Sequence, residues 1–450
     1  METSKEIKEK VLKQVNGERL ISLCSKLIQI PSVVEDEGAE KVISEYLQDY
    51  WRKMGLEVFV QDVPPIGDIP RGPHPQIIGR LKGKGGGKRL MMGGHMDTEP
   101  VVQPDLWTKD PFSGYVDREE KGSEGQGYIY GLGAANMKQS VASFTEAVHA
   151  IIESGVELQG DLLITGWVLE DIGINGSRYQ VEHWNEIGVG PFPDMVLDGE
   201  PSDCMIRTNH VGFTCFTITT KGHLAHISQR YTRAPEYEGK KHVNAFKKMF
   251  KILAELEDVG KCFTYKRHPF MGDPILTIGD VRTKVGGKGG RPVLGSSECQ
   301  VDFDLRFVPG MTAKTIEEDL ERVLYRVKIE DPELEASIRF WPHLWPDPPS
   351  PTELPDDHIL NQVLKKAHRE VFGKDPIVDT DTRGTSLSRI VDRCKYGCTD
   401  IGSFYAAGVA GINYGPAQVP VTPDERVSIP QLIKHSKVSA LTALEICNQK

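Results

Sequence analysis

Hydrophobic and polar residues follow two spacings along the first 200 residues, and each spacing predicts a different kind of element. Residues 5–55 carry two amphipathic helical patterns, separated by a break at residues 29–32. Residues 56–63 alternate as a strand does, and residues 137–154 read as a buried helix. Further apolar strands are predicted at residues 76–81, 88–92, 128–130, 161–169 and 195–197. Strands that alternate with helices indicate a doubly wound α/β domain.

The pattern changes after residue 206, because the next segment alternates cleanly, as a half-exposed antiparallel strand does. A strand, a helix, two strands, a helix and a strand are predicted at residues 211–220, 243–256, 275–281, 297–307, 315–326 and 335–341. This is the order of a ferredoxin-like α+β module. We therefore predict an α/β domain with a doubly wound mixed sheet, residues 1–207 and 344–450, and an inserted ferredoxin-like α+β domain over residues 208–343.

Composition and charge narrow the choice of partners. The chain has 450 residues with a formal net charge of −10, so nothing attracts it to nucleic acid or to an anionic membrane. No stretch approaches the roughly 20 apolar residues that span a bilayer. The eight cysteines are scattered, which favours reduced thiols. We expect a cytoplasmic protein that acts on a small molecule and binds neither nucleic acid nor a membrane.

Polar residues follow several of the predicted strands of the α/β domain, at the point where each strand ends. They are His95 and Asp97, Asn136 on a glycine-rich turn, Glu170 and Asp171, and Asp198 and Glu200. Strand ends meet at one edge of such a sheet, where carboxylates repel one another unless a cation holds them. A mixed histidine and carboxylate set suits a divalent metal ion. Adjacent acids can divide the work, one binding the metal and the other taking a proton from water.

The order and spacing of six motifs resemble a known family of cocatalytic metallohydrolases. The motifs are Gly94-His95-Met96-Asp97, Gly131-x-Gly-Ala-Ala-Asn136-Met-Lys138, Glu170-Asp171, Gly199-Glu200-Pro201-Ser202, Gly222-His-Leu-Ala-His226 and Tyr414-Gly415-Pro416. That family includes aminoacylases, succinyl-diaminopimelate desuccinylase, glutamate carboxypeptidases and carnosinases. The resemblance covers nearly the whole chain. It implies that His95 and Glu200 bind one metal ion, that Asp97 orients His95, and that Glu170 is the general base.

The resemblance also implies a role for the inserted domain, which in the family acts as a lid and forms the dimer. It implies that His226 stabilises the oxyanion and that Arg306 holds a substrate carboxylate, and we expect a homodimer or higher homo-oligomer. Structural roles compete with these assignments. Glu170 could cap a turn, His226 could be a buried histidine, and Arg306, in the middle of a strand, could form an ordinary ion pair.

The chain departs from the family on one side of the metal site. The position of the family's bridging aspartate is occupied by Asn136, whose amide oxygen is neutral. The second acid of the family's Glu-Glu pair is replaced by Asp171, whose side chain is one methylene shorter. The position of its last histidine ligand is occupied by Val421, which cannot bind a metal. Relatives also commonly have an aspartate near position 387, where this chain has leucine, which leaves the substrate open. We therefore expect one divalent ion (Zn, Mn or Co) on the His95 and Glu200 side, with Asn136 and Asp171 as weaker ligands.

These residues lead to one expected function and two alternatives. The expected function is hydrolysis of a C–N bond, namely the amide of a small N-acyl amino acid or dipeptide, by metal-activated water with Glu170 as the general base. The first alternative is an aminohydrolase that releases ammonia from an aromatic or other small amine on a single-metal site. The second is a non-catalytic relative, which has no physical need for a base beside a histidine–carboxylate pair.

Overall fold

The computed structural model describes residues 4–65, 72, 74–122, 125–224, 242–285, 294–380, 397–417 and 423–450. Contacts between Cα atoms divide the chain into two compact units. The first consists of Met1–His210 and Thr352–Lys450, and the second of Val211–Pro351. The chain therefore leaves the first unit once and returns to it once, as an inserted domain requires.

The described residues form fifteen strands and twelve α-helices. The strands are β1 (Glu57–Val63), β2 (His74–Leu81), β3 (Leu90–His95), β4 (Tyr115–Gly122), β5 (Gly125–Tyr130), β6 (Leu162–Trp167), β7 (Met195–Asp198), β8 (Asn209–His210), β9 (Gly212–Lys221), β10 (Ile275–Val285), β11 (Ser296–Phe307), β12 (Glu335–Phe340), β13 (Thr352–Glu353), β14 (Ala410–Asn413) and β15 (Arg426–Ser428). The helices are Ser4–Gln14, Gly17–Ile28, Ala39–Lys53, Lys138–Ser154, Asn175–Glu182, Trp184–Ile187, Ala245–Leu256, Val259–Cys262, Ala313–Glu330, Ile359–Phe372, Ile401–Ala406 and Ile429–Cys447. None of these helices is long and apolar enough to cross a membrane.

The main sheet of the first unit has six strands in the order β1-β2-β6-β3-β7-β14. Strands β6, β3, β7 and β14 run parallel to one another, whereas β2 pairs antiparallel with both β1 and β6. All six residues of β3 are buried, and they alternate between two faces, since Leu90 and Met92 join the larger apolar cluster and Met91 the smaller one. The predicted α/β fold with a mixed sheet is confirmed.

Two glycines shape the carboxyl end of β3. A Cβ atom on Gly93 would overlap the ring of Trp167, and one on Gly94 would come within 2.6 Å of Met137 Cε. The glycines therefore let Trp167 and the start of the helix Lys138–Ser154 close on the strand from both faces. This packing fixes the backbone immediately before His95.

The second unit holds a four-stranded antiparallel sheet in the order β10-β11-β9-β12. Chain order is β9, the helix Ala245–Leu256, β10, β11, the helix Ala313–Glu330 and β12, with the short helix Val259–Cys262 after the first long one. The longer helix begins at a capping box, in which Thr312 and Thr315 satisfy each other's backbone N–H groups. This is the predicted ferredoxin-like order, and the inserted α+β architecture is confirmed. The roles of this unit as lid and dimer contact stay predictions.

The structure adds four short helices that the pattern did not predict, Asn175–Glu182, Trp184–Ile187, Val259–Cys262 and Ile401–Ala406, and two further differences have a visible cause. The first predicted helical pattern is two helices, because Asn16 ends one and caps the next by accepting a hydrogen bond from Arg19 N at 3.1 Å. Its own backbone N–H donates to Glu146 Oε1 at 2.7 Å. The structure also contains β4, which was not predicted, since residues 115–122 are largely exposed and lack an apolar face. This strand pairs with β5, which in turn pairs with β15.

Candidate metal centre

The ends of three neighbouring strands bring three predicted residues together. His95 ends β3, Glu170 follows β6, and Glu200 follows β7. His95 Nε2 lies 3.1 Å from Glu200 Oε1 and 3.8 Å from Glu170 Oε2. One ligand atom from each of the three residues lies within 4.8 Å of the other two. The parallel order of β6, β3 and β7 thus places an imidazole and two carboxylates where they could share one cation.

A second group joins His95 to Asp97 and Asp171, again with one ligand atom of each within 4.8 Å of the others. His95 Nδ1 lies 3.0 Å from the backbone oxygen of Asp97 and 3.7 Å from its Oδ1. Asp97 Oδ2 accepts a hydrogen bond from Asp171 N at 3.0 Å. The backbone carbonyl of Asp97 therefore orients the imidazole, and its carboxylate holds the segment that carries the two acids after β6.

The charges of this cluster are unbalanced. Burial would lower the pKa of His95, but Asp171, Glu200, Asp97 and Glu170 raise it well above its usual range. Burial raises the pKa of Glu170 and of Asp171 well above the usual range, against the attraction of His95, and the neighbouring carboxylates add to the rise. Each acid is thus harder to ionise than an isolated one, as expected where carboxylates outnumber the cations near them.

Three buried oxygen atoms of the cluster and of the turn that carries Asn136 have no hydrogen-bond partner among the described residues. They are Asp97 Oδ1, Asn136 Oδ1 and Asp171 Oδ2, while His95 Nε2 faces Glu200 Oε1 at 3.1 Å. Buried polar atoms are normally paired, so three such oxygens in residues that suit a metal ion indicate that a ligand belongs there. One imidazole nitrogen with carboxylate and amide oxygens is a donor set for a divalent cation such as Zn²⁺ or Mn²⁺. The residues present therefore fit a metal ion.

Asn136 lies on the turn between β5 and the helix Lys138–Ser154. The backbone N–H groups of Ala135 and Asn136 donate to Glu425 Oε1 at 2.7 and 2.9 Å. The next residue, Met137, packs against Gly94, so the turn lies against the end of β3. The sequence predicted the position of Asn136 but assigned no role to Glu425.

Two further buried acids belong to the same electrostatic neighbourhood. Burial raises the pKa of Asp198 well above its usual range, with Glu200 and Asp400 adding to the rise. Burial likewise raises the pKa of Asp400 to about 7, and the charge of Glu200 adds to it. Sequence reasoning noted Asp198 without giving it a role and did not find Asp400. Asp400 precedes the helix Ile401–Ala406, which is too short to produce a periodic pattern.

A buried pair behind Asp97 was also missed. His74 Nδ1 and Glu40 Oε2 lie 3.0 Å apart, and both side chains are fully buried. Burial, and then the charge of Glu40, raise the pKa of Asp97 to about 6 against the attraction of His95. A signal was available, because Glu40 shares the buried face of its helix with Ile43 and Leu47. A lone acid on an apolar helix face requires a partner.

His226, Val421 and residues 384–389 lie outside the described residues. Arg306 belongs to β11 of the second unit, where its Nε and Nη2 donate to Asp304 Oδ1 and Oδ2 at 2.7 and 2.8 Å. Its guanidinium also lies 4.9 Å from the centroid of the Phe213 ring. The ion pair considered from the sequence is therefore present.

Comparisons with known proteins identify relatives of the whole chain. The sequence model of peptidase family M20/M25/M40 matches residues 91–445. The chain is 24% identical over 453 residues to the N-formyl-4-amino-5-aminomethyl-2-methylpyrimidine deformylase of Bacillus subtilis (strain 168), with 96% of both chains covered. It is 25% identical over 435 residues to the succinyl-diaminopimelate desuccinylase of Hydrogenovibrio crunogenus, covering 95% of this chain and 98% of that one. The crystal structure of a Staphylococcus aureus tripeptidase superposes with a TM-score of 0.72 at 16% identity, covering 97% of this chain and all of the other.

Proposed function

Because the chain belongs to peptidase family M20/M25/M40, we propose that it hydrolyses the amide of a small N-acyl compound with Glu170 as the general base. The chain is a hydrolase of C–N bonds, and the family predicted from the motifs is confirmed. The observation that carries the finer proposal is the convergence of His95, Glu170 and Glu200 within 4.8 Å of one another. Because the Glu170 carboxylate lies beside His95 and Glu200, it is well placed to take a proton from a water molecule at the metal site.

Members of this family bind divalent metal ions. In this chain His95 and Glu200 would hold the ion, with Asn136 and Asp171 as further oxygen donors. When bound, such an ion polarises an acyl carbonyl and favours deprotonation of water. One ion (zinc, manganese or cobalt) is proposed rather than two, since Asn136 is neutral and Val421 offers no ligand atom.

The proposed reaction transfers one proton through Glu170. Its carboxylate accepts a proton from water while the water oxygen bonds to the carbonyl carbon. The C–N bond then breaks, and Glu170 returns the proton to the departing nitrogen, so the products are a carboxylic acid and an amine, and the proton that the acid then loses can be taken up by the amine. Its buried position, which raises the pKa of Glu170 well above the usual range, suits a group that both takes up and releases a proton. His226 remains the proposed oxyanion donor.

The surroundings of Arg306 widen the proposed substrate class. Asp304 already forms two hydrogen bonds with the guanidinium, so this arginine does not require a substrate carboxylate to balance its charge. The deformylase relative is named for removing a formyl group from an aminopyrimidine. The proposed substrates are therefore small acylated amines as well as N-acyl amino acids and dipeptides.

A substrate panel tests the proposal. Chelated protein is reloaded with manganese, zinc or cobalt and offered N-formyl aminopyrimidines, N-acetyl and N-succinyl amino acids, dipeptides and free aromatic amines. Release of a primary amine with the free acid supports amide hydrolysis, whereas release of ammonia supports the aminohydrolase. No product from any substrate of the panel, together with no metal uptake, would favour a non-catalytic relative.

The Glu170→Gln variant tests the base. We expect kcat to fall by about 10²–10⁴-fold, the usual contribution of a general base, while metal content stays that of the wild type. Glu9→Gln, at an exposed position in the first helix, serves as the matched control and should leave kcat unchanged. Unchanged turnover in Glu170→Gln would reject the proposed proton transfer.

A further inference from the structure

The segment Pro423–Arg426 contacts the turn that carries Asn136 through a single buried residue. Glu425 is 3% exposed. Its Oε1 accepts hydrogen bonds from Ala135 N at 2.7 Å and from Asn136 N at 2.9 Å. Its backbone oxygen accepts a third, from Gly131 N at 2.9 Å. Both ends of the turn are therefore attached to one residue that lies almost 300 positions later in the chain.

The turn needs such an anchor because its backbone is unusual. Gly131 and Gly133 have φ values of 136° and 86°, a region that other residues rarely adopt. Glycine supplies this conformation but does not hold it, since its backbone is the most flexible of all. A buried carboxyl oxygen that accepts two N–H groups holds both donors, and removing it would leave them buried without a partner. Glu425 thus fixes the turn that the glycines allow.

What the turn presents is an oxygen atom without a partner. Asn136 Oδ1 is buried and accepts no hydrogen bond from any described residue, whereas the backbone N–H of the same residue donates to Glu425. Burying an amide oxygen without a donor costs free energy unless a ligand compensates. The backbone of Asn136 is therefore fixed, while its side-chain oxygen has no hydrogen-bond donor among the described residues.

We propose that Glu425 is a positioning residue of the metal centre, which fixes the turn Gly131–Asn136 so that Asn136 Oδ1 is available to the cation. This rests on the proposed metal site and deepens it. Val421 offers no ligand atom, so the C-terminal segment contributes to the site by holding the backbone of a ligand.

Asp424 provides a matched control in the same segment. Its carboxylate also holds a backbone, accepting from Thr108 N at 2.8 Å and from Thr108 Oγ1 at 2.7 Å. That loop is a different one from the turn that carries Asn136. The Asp424→Asn variant therefore weakens an anchor of the same kind and in the same segment without touching the turn.

The first measurement is hydrogen exchange of the metal-free protein, followed by mass spectrometry. In Glu425→Ala, peptides that contain residues 131–137 should exchange faster, because two N–H groups lose their acceptor. Glu425→Gln keeps an acceptor oxygen and should retain most of the protection, and Asp424→Asn should leave this turn unchanged. Unchanged exchange in Glu425→Ala would show that the carboxylate does not hold the turn.

The second measurement is the affinity of the metal-free protein for Mn²⁺ by titration calorimetry. Residues that orient ligands typically contribute 10–100-fold to metal affinity, and we expect a loss of about that size in Glu425→Ala. Glu425→Gln should stay within roughly threefold of the wild type, given the modest net difference between charged and neutral hydrogen bonds. Asp424→Asn should bind Mn²⁺ as the wild type does.

A double-mutant cycle separates positioning from general stabilisation. If Glu425 acts through Asn136, adding Glu425→Ala to an Asn136→Ala protein should cost no further Mn²⁺ affinity. Additive losses would overturn the proposal, and so would wild-type affinity in Glu425→Ala. If Glu425→Ala does not fold, Glu425→Met, which fills a similar volume without an acceptor oxygen, takes its place in the same cycle. Failure of the wild type itself to bind Mn²⁺ would instead reject the proposed metal site.

Discussion

Two histidines of the first unit are equally buried but differ in everything around them. Burial would lower the pKa of His95, yet the surrounding carboxylates raise it well above its usual range, and its Nε2 faces carboxylate oxygens of Glu200 and Glu170 at 3.1 and 3.8 Å. Burial lowers the pKa of His435 to about 4. Both of its nitrogens have neutral partners, since Ser143 Oγ donates to Nδ1 at 2.6 Å and Nε2 donates to Tyr414 O at 2.8 Å.

The comparison shows that burial alone does not identify a functional histidine. His435 is satisfied and uncharged, so it contributes to packing and needs no ligand. His95 lies among carboxylates that the protein does not neutralise, and this imbalance is the mark of a site. The partners of a buried group, and whether its charge is balanced, carry the functional information.

Exchanging the two side chains for asparagine is the sharpest test of this contrast. His95→Asn removes a metal ligand, so Mn²⁺ affinity should fall by at least about 100-fold, the upper end of the loss seen when only a ligand's supporting residue is removed. His435→Asn should keep the metal affinity and lower the free energy of unfolding by about 2 kcal/mol, because it disturbs two buried hydrogen bonds. Calorimetry and urea unfolding of metal-free protein measure the two quantities. A large loss of Mn²⁺ affinity in His435→Asn would show that His435 also supports the metal site, and would contradict the contrast between the two histidines.

The sequence identified one of these histidines and not the other, for a physical reason. His95 follows an apolar strand and two glycines, so its place at the sheet edge is a local property of the chain. His435 lies inside the helix Ile429–Cys447, whose pattern predicts a helix but no partner. Its partner Ser143 lies 292 positions away, and such contacts exist only once the fold has formed.

The same limit explains which parts of the site were predicted. The positions of the strand ends predicted that His95, Glu170 and Glu200 lie together, because adjacent parallel strands bring their ends together. They did not predict the contact between Glu425 and Asn136, which are 289 positions apart. Nor did they show that the backbone of Asp97, rather than its carboxylate, faces His95 Nδ1. Element order was encoded locally, whereas the hydrogen bonds that hold the site were not.

Acid should act on His435 in a defined pH window. The unfolded chain binds a proton at this histidine near pH 6.5, whereas the folded protein does so only near pH 4. Stability is therefore lost as the pH falls from about 6.5 to 4, by roughly 3 kcal/mol at about 1.4 kcal/mol for each pKa unit. The deficit of about 2 kcal/mol in His435→Asn at pH 8 should vanish as the pH falls and reverse to an advantage of about 1 kcal/mol near pH 4, because the variant has no such group to protonate.

The measurement is the difference in unfolding free energy between wild type and His435→Asn at each pH. Taking the difference matters because the buried carboxylic acids titrate with the opposite sign and are common to both proteins. Thr442→Val, at a residue of the same helix that does not titrate, is the control and should give a difference that does not depend on pH. A difference for His435→Asn that stays constant from pH 8 to pH 4 would contradict the low pKa.

Asn136→Asp tests whether the charge imbalance sets the number of ions. The change adds an anionic oxygen of nearly the same shape, so Mn²⁺ affinity should rise by roughly tenfold, about 1.4 kcal/mol, within the usual range for a charge brought close to a cation. Counting bound metal by mass spectrometry shows whether the stoichiometry rises from one ion to two. Two tightly held ions in the wild type would reject the single-ion proposal, whatever the variant does.

The smallest expected effect is on the stability of the metal-free protein. Glu170 lies beside Glu200, Asp171 and Asp400, whose charges disfavour its own, so a neutral glutamine should relieve repulsion. We expect Glu170→Gln to raise the free energy of unfolding of metal-free protein by about 1 kcal/mol, as is common when a strained functional group is replaced. Saturating Mn²⁺ should remove this advantage, since the cation balances the same charges.

The contrast with His435 would then be complete, because replacing the satisfied histidine destabilises the protein whereas replacing the unbalanced acid stabilises it. Equal losses of stability in both variants would mean that the carboxylates near His95 are already neutralised within the folded chain, and the argument for a bound cation would lose its electrostatic basis.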